Sequence, residues 1–174
     1  MDKNYKEILN RIDTFIFDVD GVFTNGIVLL TDSGEQLRTA NVRDGYVVQL
    51  AAKMGYKIAI ITGGRQEAVR KRFNGLGVQD VFLGSSDKMM VFNKYVQENH
   101  IDLNRVLYMG DDIPDHQVMQ QVALPTCPSD AAPEIKAISK YISPNKGGEG
   151  CVRDVIEQTL RAQGKWMKEG AEYW

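Results

Sequence analysis

Short apolar, β-branched runs recur along the chain, each closed by a cluster of glycine and polar residues and followed by a stretch with helical spacing. The run at 14–17 closes on Asp18-Val19-Asp20-Gly21, and the run at 57–61 on Thr62-Gly63-Gly64. The run at 80–83 closes on Gly84-Ser85-Ser86, and the run at 105–109 on Gly110-Asp111-Asp112. Weaker strand signals fall at 122–126 and 141–142, a helix is expected over 89–98, and the charged stretch 1–12 also reads as helical. Strands alternating with helices predict an α/β fold with a parallel sheet covered on both faces, where ligands lie outside the carboxyl ends of the strands. The polar clusters sit at those ends.

One segment interrupts the alternation. Residues 26–42 read as two short strands around the turn Thr31-Asp32-Ser33-Gly34, a β-hairpin inserted between the first strand and its helix. Its arm Ile27-Val28-Leu29-Leu30 is too apolar for a solvated excursion, and an isolated hairpin is only marginally stable in water. It therefore needs a partner surface, either its own domain or, as the preferred reading, further copies of the chain.

With 174 residues and a hydrophobic fraction of 43%, the chain can bury one core, so a single domain over 1–174 is expected. The 21 basic and 23 acidic side chains are dispersed and leave a net charge of −2. That balance gives no electrostatic footprint for nucleic acid or an anionic membrane. No apolar run is long enough to span a bilayer and the N-terminal stretch does not resemble a secretion signal, so a cytoplasmic location is expected. Cys127 and Cys151 show neither zinc-ligand spacing nor a disulfide framework and are expected to be reduced. His100 and His116 offer no ligand pair and are read as structural or solvated.

Asp18 and Asp20 lie two apart at the end of one strand, and Asp111, Asp112 and Asp115 follow another. A sheet can gather these acids in one crevice, where they would repel each other unless a hard cation joined them. Magnesium suits such a site, because it binds through one or two carboxylates and substrate phosphate oxygens. Acids at strand ends also serve as helix caps and turn formers, so the cluster alone is not decisive.

Asp18-Val19-Asp20-Gly21-Val22-Phe23-Thr24 resembles the first motif of the haloacid dehalogenase superfamily of phosphotransferases. Thr62, Lys88 and Gly110-Asp111-Asp112 with Asp115 are similar to the later motifs, in order, over nearly the whole chain. The resemblance implies a Rossmann-like three-layer sandwich and a role for each residue. Asp18 would be the nucleophile and a Mg2+ ligand. Asp20 would be the general acid and then base, with its backbone carbonyl on the metal. Thr62 and Lys88 would stabilise the transferring phosphoryl group, Asp111 would complete the protein's metal ligands, and Asp112 and Asp115 would orient them from behind.

Neither interval that can carry a cap domain in this superfamily is long enough here. Val42-Arg43-Asp44-Gly45-Tyr46, Gly84-Ser85-Ser86-Asp87-Lys88 and Gly147-Gly148-Glu149-Gly150-Cys151-Val152-Arg153 are similar to segments of the capless, tetrameric branch that dephosphorylates 3-deoxy-D-manno-octulosonate 8-phosphate, a lipopolysaccharide precursor. That likeness implies a homotetramer joined through the hairpins and a glycine-rich C-terminal tail, from about 147, able to cover a site. Arg43, Gly63, Gly64, Arg65 and Arg153 are the substrate-binding candidates, the arginines for the sugar-acid carboxylate. Asn25 and Gly64 depart from the common pattern, where Asp and Arg are usual. A phosphatase for 2-keto-3-deoxynonulosonate 9-phosphate is an alternative that the residues leave open. From other classes, a phospho-receiver or a non-catalytic scaffold remains; the order of the acids argues against the first and the complete motif set against the second. The stretch beyond Arg161, with Trp166 and Trp174, receives no role.

Overall fold

The computed structural model describes residues 4–168, 171 and 172. The elements in chain order are α1 (Tyr5–Leu9), β1 (Thr14–Phe17), β2 (Leu29–Leu30), β3 (Gln36–Leu37), α2 (Val42–Lys53), β4 (Lys57–Ile61), α3 (Glu67–Gly75), β5 (Asp80–Phe82), α4 (Lys88–Glu98), β6 (Val106–Met109), α5 (His116–Met119), β7 (Leu124–Cys127), α6 (Pro133–Ile138), β8 (Tyr141–Ile142) and α7 (Cys151–Ala162). Six strands form one parallel sheet in the order β5-β4-β1-β6-β7-β8, while β2 and β3 pair with each other, antiparallel, outside it.

The sheet is buried on both faces, which is why its strands read as continuous apolar runs rather than alternating ones. Period-two geometry still divides their side chains. Phe15 and Phe17, with Ile58 and Ile60, join a core that includes Leu50 of α2, Phe73 of α3 and Val155, Ile156 and Leu160 of α7. Ile16, Ala59, Ile61 and Tyr108 face the opposite way, into a second core with Phe92 and Tyr95 of α4, Met119 of α5 and Ile135 of α6. The result is the expected three-layer α/β sandwich. Between β1 and α2 lies only the small hairpin, and between β4 and β5 only α3.

The hairpin turns where expected, with Gly34 N–H donating to Thr31 O and Gly34 at φ +83°. Its paired strands are shorter than the 26–42 span, because only Leu29–Leu30 and Gln36–Leu37 pair and Val42 already opens α2 under the Asn41 cap. Ile27, Leu29 and Leu30 are 68, 63 and 71% exposed, so within one chain the hairpin does not fold its apolar side onto its own domain.

The segment from 147 is not a loose tail. Gly148 N–H donates to Val22 O, and a Cβ on Gly147 would stand 2.0 Å from Gly21 O, so the glycines lie directly on the loop after β1. Residues 151–162 then form α7, whose Val152, Val155, Ile156 and Leu160 are core. These glycines serve close backbone approach. Past α7, Trp166 packs against the same core beneath the guanidinium groups of Arg153 and Arg161, and Ala171 O accepts from the Tyr46 hydroxyl. Trp174 lies outside the described residues.

Candidate active site

The sheet order reverses direction around β1, with β4 on one side and β6 on the other, which opens a crevice at their shared carboxyl edge. Register fixes what fills it. Phe17 pairs with both Ile60 and Met109, so Asp18 leaves the middle strand level with the ends of its neighbours. Its N–H continues the ladder to Met109 O at 3.0 Å. Val19 O then accepts from the N–H groups of Val22, Phe23 and Thr24, winding the chain into a tight loop that places Asp20 on the rim.

Gly21 makes room there. Gly21 has φ +83°, and a Cβ on it would fall 1.9 Å from Asp111 Oδ2. Gly64 N–H donates to Thr62 Oγ1 at 3.1 Å, and a Cβ on Gly64 would stand 3.7 Å from Asp20 Oδ2. Thr62 is buried at the end of β4. Its N–H donates to Phe82 O and its carbonyl accepts from Ser85 N–H, which laces the loops after β4 and β5 together.

Lys88, the first residue of α4 under its Asp87 cap, is buried with its ammonium 2.9 Å from Asp18 Oδ1 and 2.7 Å from Asp115 Oδ1. Asp115 is almost wholly occupied by the protein, because Oδ1 also accepts from the Tyr108 hydroxyl at 2.6 Å and Oδ2 from Asp111 N–H at 3.3 Å. That pattern fits a residue that orients its neighbours rather than one that faces a ligand. Asp112 is exposed, and its Oδ1 accepts from Ile113 N–H as the cap of the short turn before α5.

Asp18, Asp111 and Asp115 each place a carboxylate oxygen within 4.8 Å of the others. Burial, followed by the charge of Asp115, raises the pKa of Asp18, with Lys88 opposing; the same order of causes raises Asp111. Burial alone would lower Lys88, but Asp18 and Asp115 outweigh it and raise its pKa, so Lys88 is a firm cation. One ammonium against three crowded carboxylates leaves a deficit of positive charge, and the all-oxygen donor set suits a hard divalent cation.

These residues line a cleft of about 700 Å3 together with Asp20, Gly21, Gly63, Gly64, Arg65, Ser85, Ser86 and Asp112. The structure thus brings Asp18, Asp20, Thr62, Lys88, Asp111, Asp112, Asp115 and three substrate candidates, Gly63, Gly64 and Arg65, to one place. Arg43 and Arg153 are not among them. They line a groove between the starts of α2 and α7, where Arg153 pairs with Glu157 at 3.3 Å and lies over Tyr46 and Trp166. Helix–helix packing, invisible in the local sequence, directs both arginines away from the cleft. His100 sits in the turn after α4 and His116 opens α5, neither on the cleft wall.

Sequence reasoning missed Arg38. It follows β3 and reaches back to Asp20 with Nε 2.6 Å from Oδ1 and Nη2 2.9 Å from Oδ2. Only its position on the arm of a hairpin beside the first motif hinted at this. The Asn25 departure is local, since its side chain accepts from Ile27 N–H at the start of the hairpin. Gly64 leaves no cation at that position, and the neighbouring Arg65, which lines the cleft, has its side chain over Gly84.

Among known families, the haloacid dehalogenase-like hydrolase profile matches residues 74–156. The 3-deoxy-D-manno-octulosonate 8-phosphate phosphatase of Escherichia coli K12 is 37% identical over 155 residues, which cover 89% of this chain and 82% of that one. The crystal structure of the phosphatase of that name from Yersinia pestis superposes with a TM-score of 0.90 at 35% identity, over 94% of this chain and 88% of that one. The one from Moraxella catarrhalis, solved in complex with magnesium, phosphate and KDO, gives 0.89 at 29% identity over 92% of each chain.

Proposed function

The chain belongs to the 3-deoxy-D-manno-octulosonate 8-phosphate phosphatases of the haloacid dehalogenase-like hydrolases, and on that premise we propose that its cleft hydrolyses this sugar-acid phosphate to the free sugar acid and inorganic phosphate. The observation that carries the reading is the buried ion cluster, in which Lys88 bridges Asp18 and Asp115 beside Asp111 at the sheet's switch point. The cofactor is Mg2+. Asp18, Asp111 and the Asp20 carbonyl would hold it, and it would supply charge neutralisation for the phosphoryl oxygens.

Asp18 attacks phosphorus, the P–O bond to the sugar breaks, and Asp20 gives its proton to the departing sugar oxygen. In the second half-reaction Asp20 takes a proton from the water that attacks the aspartyl-phosphate, which returns Asp18 and releases phosphate. Lys88 and the Thr62 hydroxyl meet charge that spreads over the equatorial oxygens, from positions fixed before the substrate arrives. Asp115 holds Lys88 in place by accepting directly from its ammonium and is itself fixed by the Tyr108 hydroxyl, while Asp112 caps the turn that carries Asp115. Gly63, Gly64 and Arg65 form the rim that the sugar contacts.

The same reading makes the enzyme a homotetramer joined through its exposed hairpins and places it in the cytoplasm, where its unpaired cysteines would stay reduced. Its product serves lipopolysaccharide precursor synthesis. Phosphate release from the octulosonate 8-phosphate, the nonulosonate 9-phosphate and hexose phosphates, with Mg2+ or EDTA, tests the function. Preference for the first, lost with EDTA and in Asp18→Asn, is the expected result. Preference for the second would keep the chemistry and overturn the substrate, and no turnover of any ester would remove the phosphatase reading.

A further inference from the structure

Arg38 differs from the site's other cations in what holds it. Lys88 is locked between two buried carboxylates, and Arg65 lies on the rim. Arg38 stands on the return arm of the hairpin, its side chain only 12% exposed, with its fork closed on Asp20 and Nη1 donating to Gln36 O at 3.3 Å. The hydrogen bond to Asp20 raises its pKa further, so the guanidinium is a permanent charge. Both carboxylate oxygens of Asp20 accept from this fork. While the fork is closed, neither oxygen is open to a leaving group.

The cleft that Arg38 lines is walled by Asp18, Asp20, Asp111 and Asp112. A phosphate monoester carrying a carboxylate brings two more anionic groups into it. A cation able to change partners answers that repulsion, and a guanidinium binds carboxylate and phosphate with the same bidentate geometry it uses on Asp20. The hairpin arm also has space to shift. Behind it an apolar cleft of about 560 Å3, lined by Phe23, Leu37, Phe73 and Leu76 among others, separates the arm from α3. The arm is joined to the start of α3 by Gln66 Nε2 donating to Gln36 Oε1 at 3.3 Å.

We propose that Arg38 is an exchangeable anion clamp, paired with Asp20 in the empty site and transferred to an oxyanion of the entering substrate, which uncovers Asp20 at the reacting bond. The inference rests on the phosphatase reading of this site. The test uses the full chain with Mg2+ as wild type, Arg38→Ala and Arg38→Lys. KM and kcat are measured on the octulosonate 8-phosphate and on glucose 6-phosphate, which lacks a carboxylate, and inorganic phosphate is titrated as a competitive inhibitor. Arg38→Ala is expected to raise KM about tenfold or more, by more than it lowers kcat, with Arg38→Lys intermediate because an ammonium keeps the charge without the fork. A KM rise confined to the sugar-acid phosphate identifies the carboxylate as the anion. A KM rise on both substrates, with phosphate inhibition weakened by the same factor, identifies the phosphoryl group.

Unchanged KM and inhibition on every probe would overturn the clamp, as would a kcat loss of equal size on both substrates with KM intact, the mark of a merely structural prop for Asp20. Should the wild type hydrolyse glucose 6-phosphate but not the octulosonate, the substrate assignment fails alone. The glucose 6-phosphate and phosphate-inhibition arms still decide the role of Arg38.

Discussion

The Lys88 ammonium lies 2.9 Å from Asp18 Oδ1, with the two side chains 6 and 9% exposed. So close a pair in so dry a place holds Asp18 in position and also creates a dependence, since removing either charge strands the other. Lys88→Met should therefore lower kcat about 10^2- to 10^3-fold, as loss of a preorganised charge facing the developing oxyanion does. It should also shift the urea midpoint downward, because Asp115 then keeps only Tyr108 and the Asp111 N–H as donors. Steady-state kinetics and urea melts check both effects, and a variant with wild-type kcat would remove Lys88 from the chemistry.

Asp111 has the opposite balance in the absence of metal. Its carboxylate crowds Asp18 and Asp115, and burial and charge raise its pKa. Asp111→Asn should leave the metal-free protein at least as heat-stable as the wild type, since it removes a like charge from the cluster. The wild type should gain about 2.7 kcal/mol of stability at Mg2+ near a hundred times its dissociation constant. The variant should gain almost nothing and turn over no substrate. Thermal melts with Mg2+ and with EDTA read this directly, and an equal Mg2+ shift in both proteins would move the metal away from Asp111.

Much of this site was legible because most of its residues lie at or just past the end of a strand or open a helix. Asp18 after β1, Thr62 after β4 and Asp111 just past the end of β6 are placed by local chain direction, and parallel pairing then brings their ends together. Arg38 was not legible. Its partner is 18 residues away, across a hairpin whose return path depends on how the turn at Gly34 sets the arm. The contacts of the glycines at 147–150 were illegible for a related reason. Composition cannot distinguish a glycine needed for mobility from one that lets backbone approach backbone, and here Gly147 lies against Gly21. Arg43 and Arg153 were placed by the packing of α2 on α7, a long-range contact that no motif encodes.

Asp44 offers a pH-dependent test of that long-range packing. Fully buried on α2, it accepts from Arg153 N–H at 2.7 Å with Oδ1, while Oδ2 has no partner. Burial pushes it from the ordinary 3.8 up to about 6, although the Arg153 and Gly150 amides oppose the shift. The folded chain therefore holds this proton more tightly than the unfolded one. The group's contribution to stability is fully present below the unfolded value and is lost as pH rises through about 6. The shift corresponds to on the order of 3 kcal/mol. Asp44→Asn keeps the acceptor and removes the titration, so its stability relative to wild type should rise by about 2–3 kcal/mol between about pH 4 and about pH 7. Urea melts at the two pH values measure the difference, and a constant offset would show that Asp44 does not titrate in this range.

On the proposed reading the hairpin would link assembly to catalysis. Leu29 and Leu30 are exposed on β2, while Arg38 on the return arm holds Asp20. A two-stranded ribbon is marginal alone, so contact with neighbouring copies would also fix the arm that aims Arg38. Replacing Leu29 and Leu30 together with lysine should lower the solution mass by light scattering from near four times the chain's 19.6 kDa, since like charges then face each other across the joint. The melting temperature should fall little, because neither side chain touches the two cores around the sheet. KM should rise as the mass falls, because the arm loses its support. A variant that stays tetrameric would place the interface elsewhere, and one that dissociates with unchanged KM would separate the assembly from the aim of Arg38.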